Sequence, residues 1–156
     1  PKSIFEKFQT NVNQLLTESN PDAISELNIA IESLGHSENP ERISHVAHAC
    51  KRLIKAIADE VFPSRTEDYV MKDKTLKKVG DEQYLNRLDA FVDSIDSDNQ
   101  KFILKKIKFL RDLYGETPES INKGTHGIIS NRAAEMAVIY SYLILGEIIL
   151  ERKFKK

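Results

Sequence analysis

Between Ala133 and Leu150 the sequence is apolar almost all the way round a helix, and no other feature constrains the fold of this chain as strongly. A surface helix carries one apolar stripe and a polar back, so a helix without the polar back has to be surrounded by other elements. A bilayer does not supply those surroundings. The mostly apolar run from Met136 to Leu150 is shorter than the ~18–20 residues a span requires, and Glu147 interrupts it. The segment predicts a central helix, capped by Ser130 or Asn131 and reaching about Lys153.

The rest of the chain supplies helices to enclose it. Ser3-Ile4-Phe5-Glu6 fits a capping box and opens a helix to about Thr17, with Ile4, Phe8, Val12, Leu15 and Leu16 at three-four spacing. Asn20-Pro21-Asp22 and Asn39-Pro40-Glu41 are two further start signals, each a capping side chain followed by a proline whose missing N–H costs nothing in the first turn. They predict helices ending at Gly35 and, before Pro63, at about Val61. Helical spacing returns from Glu82 to Ile95, and Ser97-Asp98-Asn99-Gln100 reads as a second capping box opening a helix that Gly115 would end. Residues 63–81 keep no period; they predict a long connection with a short hairpin around Tyr69 to Val79. No stretch alternates apolar and polar residues for a useful length. The expectation is therefore an all-α, five- to six-helix bundle, a single domain over residues 1–156, with the apolar C-terminal helix in its middle.

Charge and cysteine content narrow the function classes. With 23 Lys+Arg against 24 Asp+Glu the formal charge is −1, so the global field cannot drive strong nucleic-acid binding and any such contact needs a local patch. Arg65, Lys72, Lys74, Lys77 and Lys78 in the long connection are one candidate patch, to be weighed against plain solvated surface. A single cysteine, Cys50, on the apolar side of its helix, and the lack of a secretory signal pattern lead to an expected cytoplasmic setting. The start at Pro1 is what a piece of a longer protein would show. The four histidines, at 36, 45, 48 and 126, fit no zinc-binding spacing, and no glycine-rich phosphate loop is present, so neither metal nor cofactor is expected.

One polar stretch carries chemistry. Ser120-Ile121-Asn122-Lys123-Gly124-Thr125-His126-Gly127 lies between two apolar helices. An imidazole there can move a proton near neutral pH, an amide can orient a phosphodiester and an ammonium can neutralise its charge. The same glycines also suit a tight turn, with His126 near the start of the next helix.

This stretch resembles the Arg-Asn-Lys-x-x-His-Gly motif of HEPN domains, helical bundles of bacterial toxins, antiphage defence proteins and RNA-processing enzymes. The matching positions are Asn122, Lys123, His126 and Gly127, while the motif's arginine position holds Ile121. The resemblance implies a HEPN-like fold that acts on or binds RNA in a bacterial defence or toxin system, with metal-independent endoribonuclease chemistry and two copies facing each other in a homodimer. His126 would be the acid–base group and Asn122 and Lys123 phosphate ligands. The segments 49–59 and 84–88 also resemble HEPN-like proteins and bring in Arg52, Asn86 and Arg87, with Arg52 or Arg87 standing in for the missing motif arginine. The alternative is a non-catalytic helical module that dimerises or docks a partner domain of a larger protein. If the polar groups meet in an open hollow, binding or catalysis is favoured; if they are sealed between helices, a scaffold is.

Overall fold

The computed structural model describes residues 3–35, 40–122 and 131–154. Their elements, in chain order, are α1 (Ile4–Ser19), α2 (Pro21–Gly35), α3 (Pro40–Val61), β1 (Tyr69–Val70), β2 (Leu76–Lys77), α4 (Tyr84–Ser94), α5 (Gln100–Asn122) and α6 (Asn131–Phe154). The described residues thus form an all-α bundle with a two-stranded antiparallel hairpin, in which Tyr69 faces Lys77 and Val70 faces Leu76.

The helix starts follow from local chemistry. At the head of α1 the Ser3 hydroxyl accepts from the Glu6 amide at 3.1 Å, and the Ser3 amide donates to the Glu6 carboxylate at 3.2 Å. Each contact satisfies an amide that the helix itself leaves without a partner. Asn20 has three jobs at one corner. Its amide donates to Leu16 O at 2.7 Å and closes α1, its Oδ1 accepts from the Ala23 amide at 3.1 Å and opens α2, and its Nδ2 reaches Ala56 O of α3 at 3.3 Å.

Two expected boundaries differ. Gly115 does not end α5, which continues to Asn122 through Pro118. One glycine costs a helix only about 1 kcal/mol, less than the packing that holds its earlier turns. Nor does Gln100 complete a capping box with Ser97. Its Nε2 turns back and donates to the carbonyls of Val92, Asp93 and Ile95 at 2.9, 3.0 and 3.1 Å. Those carbonyls end α4 without helical partners, and a side-chain amide only a few residues downstream can reach all of them.

The core lies where α3 and α6 meet the other helices. α3 packs on α2, α4, α5 and α6, while α6 also touches α1, α2 and α5. Leu53, Ile54, Ile57 and Ala58 of α3 interleave with Leu145, Ile148 and Ile149 of α6 and with Ile103, Ile107 and Leu110 of α5. Cys50 is buried among them as a small apolar group. The expected central position of α6 is found, although one strip of it, Ile139 and Tyr140, reaches solvent.

Gly146 sets the approach of α1 to α6. A Cβ there would lie 2.8 Å from the Phe8 ring and 2.9 Å from a Val12 methyl. Gly146→Ala is expected to lower stability by about 1–2 kcal/mol, the overpacking of fully buried Val12 outweighing the gain in helix propensity. Urea denaturation of the two proteins measures it.

Candidate functional site

The polar residues singled out near 86–87 belong to α4, whose spacing puts Arg87 beside the apolar seam of Leu88 and Phe91. A long cationic side chain on that face has to find partners inside or be expelled. Arg87 finds them. Its guanidinium donates through Nη1 to Asp59 Oδ1 at 2.7 Å and to Phe62 O at 3.3 Å, and through Nη2 to Asp81 O at 3.0 Å. The side chain is 0% exposed, and Nε is the one buried polar side-chain atom without a partner among the described residues. Asp59, 55% exposed, keeps its carboxylate partly in water while neutralising the buried cation.

The rest of α4 continues this fastening. Asn86 donates to Lys78 O at 3.0 Å and accepts from Arg111 of α5 at 2.9 Å. The same Arg111 nitrogen lies 2.8 Å from Asp89, whose buried carboxylate also has Lys77 at 3.6 Å. Asp93 accepts from the Tyr69 hydroxyl and from the Lys72 amide, both at 3.0 Å. Across the way, Arg65 stacks over Phe62 and Tyr69 with its guanidinium carbon 5.1 and 5.6 Å from the ring centroids. The connection between α3 and α4 is therefore fixed to α4 at Phe62, Tyr69, Lys72, Lys77, Lys78 and Asp81. It is an ordered part of the core's edge.

Its basic character is also local. Arg65, Lys72, Lys74, Lys77 and Lys78 are matched in number by Glu67, Asp68, Asp73, Asp81 and Glu82, so residues 63–82 carry no net charge. Lys55 of α3 lies 3.0 Å from Asp81 and 3.7 Å from Glu82. Its hydrogen bond to Asp81 raises the lysine above its usual range and holds the Asp81 carboxyl below its own. A patch so balanced has little long-range pull on a polyanion.

The expected convergence of the candidate residues is only partly visible. Arg52 points from α3 toward α2, where its Nε lies 3.0 Å from Glu26, and its side chain is 55% exposed. Arg87 serves the other end of the same α3 stripe through Asp59, about 10.5 Å further along the axis at ~1.5 Å per residue. No partner is shared between the two arginines, and Arg87 is removed from the groups open to an anionic ligand by its burial. Asn86 meets Arg111 instead. Asn122 is the last described residue of α5, and its side chain, with Lys123 and His126, lies outside the described residues.

Sequence reasoning missed Asp59, Asp89, Asp93 and Arg111. A signal was present in the positions of Arg87, Asp89 and Asp93, which lie beside the apolar seam of α4 and so call for partners on neighbouring elements. Among the described residues no cluster of three His, Cys, Asp or Glu could hold a metal ion. No family model, curated protein or solved structure matches the chain.

The two arginines should separate in stability. Arg87→Ala, which leaves two carbonyls and a carboxylate without their donor, is expected to cost about 3 kcal/mol, against at most about 1 kcal/mol for Arg52→Ala at its solvent-screened pair. Chemical denaturation reads both. Burial first, and then the hydrogen bond to Asp93, pushes the Tyr69 hydroxyl above its ordinary value of 10.0. A folded-state value raised in this way adds stability that is complete below the unfolded value and lost as pH rises through the folded one. The stability difference between wild type and Tyr69→Phe should accordingly shrink above about pH 10, as followed by denaturation at alkaline pH.

Proposed function

We propose that this chain is a HEPN-like helical module of a bacterial defence or toxin system that binds RNA without cutting it. The observation that carries the second half of this reading is the commitment of Arg87. In the motif this chain resembles, a guanidinium next to the imidazole takes up the charge that develops on phosphorus-bound oxygen. Ile121 occupies the position where the motif has that arginine. The stand-in Arg87 is fully buried on Asp59, Phe62 O and Asp81 O, and Arg52 is paired with Glu26.

The first half rests on the residues that do match the motif. Asn122, Lys123 and His126 remain suited to holding a phosphate by hydrogen bond and charge, which needs no guanidinium. Two readings compete: a non-catalytic docking module, which the sealing of Arg87 between α3, α4 and their connection favours, and a nuclease, with His126 as the acid–base group and an arginine supplied by a facing copy in a homodimer.

The test is incubation of the purified chain with tRNA and total RNA in EDTA, beside His126→Ala. Neither protein is expected to cleave. Cleavage by wild type that disappears in the variant would overturn the proposal and establish the nuclease.

A further inference from the structure

The outer face of α5 combines two features that rarely occur together on a surface that only meets water. Phe102 and Phe109 are 62% and 45% exposed, and Tyr140 of α6, 37% exposed, meets the Phe109 ring edge-on at a centroid distance of 5.1 Å. Around them the charge is one-sided. Residues 100–112 hold Lys101, Lys105, Lys106, Lys108 and Arg111 against Asp112 alone, a net of +4 in a chain whose total is −1.

Helix geometry sorts these side chains. At ~100° per residue, Phe102 and Phe109 fall within about 20° of each other and about 10.5 Å apart along the axis. Lys101, Lys105 and Lys108 line one flank of that aromatic stripe, with the exposed Asp112 one turn beyond Lys108 on the same flank, and Lys106 lies on the other. Lys106 is neutralised by Glu147 of α6 and Arg111 by Asp89, whereas the three lysines of the first flank form no ion pair with any described residue.

We infer that this face of α5 is a platform for single-stranded RNA, whose bases stack on Phe102, Phe109 and Tyr140 while its phosphates run along Lys101, Lys105 and Lys108. The inference rests on the RNA-binding reading above and gives it a location away from the His126 stretch. The recognition chemistry requires an aromatic face for each base and cations at backbone distance, and both are displayed here without rearrangement. A duplex keeps its bases stacked on one another and cannot use such rings, so single strands are the class selected. A protein partner fits less well because lysine is depleted from the centres of protein interfaces. Two copies packed α5 against α5 would also set one lysine row against the other.

The experiment is fluorescence anisotropy with a labelled oligouridine about 15 nucleotides long, alone and annealed to oligoadenosine, using the full chain. The single strand should bind more tightly than the duplex. Phe102→Ala with Phe109→Ala should weaken single-strand binding by about 5- to 100-fold. Lys101→Gln with Lys105→Gln and Lys108→Gln should reduce the slope of log affinity against log salt by about 2. All five positions are exposed, and an unchanged circular-dichroism melt checks that the variants fold. Tight binding that both variants retain would overturn this location and leave the RNA-binding reading standing. No binding by wild type would end both. Sedimentation showing that the phenylalanine variant loses a dimer while keeping its RNA affinity would reassign the face to self-association and overturn the inference.

Discussion

A cation held away from water is the constraint around which one side of this molecule is organised. Desolvating the Arg87 guanidinium is costly, so the surrounding chain has to present acceptors in fixed positions. It does so from three places: Asp59 near the end of α3, Phe62 O just beyond it, and Asp81 O just before α4. The two ends of the long connection are thereby clamped to the same side chain. The hairpin between those ends is then held by Asn86, the residue before Arg87, and by Asp93 further along α4. Remove the central cation and the carbonyls at both ends lose their donor together, which couples the α3 terminus to the α4 start more tightly than apolar contact alone would.

The apolar side obeys a different logic. α6 has no polar back to turn toward water, and the bundle answers by setting α1, α2, α3 and α5 around it. Where α1 comes closest, Gly146 supplies the missing volume for Phe8 and Val12. The strip of α6 left uncovered, Ile139 and Tyr140, adjoins the exposed phenylalanine Phe109 of α5 through the Phe109–Tyr140 ring contact. Enclosure of the central helix thus stops at the place where the surface becomes both aromatic and basic.

Much of the architecture was legible because its signals are local. The capping box at Ser3, the Asn20-Pro21 start of α2 and the end of α3 at Val61 ahead of Pro63 each depend on chemistry within about one turn of the chain, and each sits where the sequence places it. Gln100 was misread because an amide three residues after a serine can cap its own helix or the carbonyls of the one before, and only the geometry of the 95–99 connection decides which. The site was legible in residue type more than in role. Asn86 and Arg87 stood out as polar groups beside an apolar seam, but their partners Asp59, Asp81 and Arg111 come from other elements at separations no periodicity reports. The basic loop shows the same limit from the opposite direction: five cations drew notice while five acids within the same twenty positions cancelled them.

Asn20 has a mechanical consequence. Its backbone closes one helix, its carboxamide oxygen opens the next and its carboxamide nitrogen grips Ala56 O of a third. A corner tied in this way has no slack. The α1–α2 pair cannot swing as a flap about that joint without breaking hydrogen bonds on two sides at once, so the carboxamide acts as a brace between the α1–α2 corner and α3.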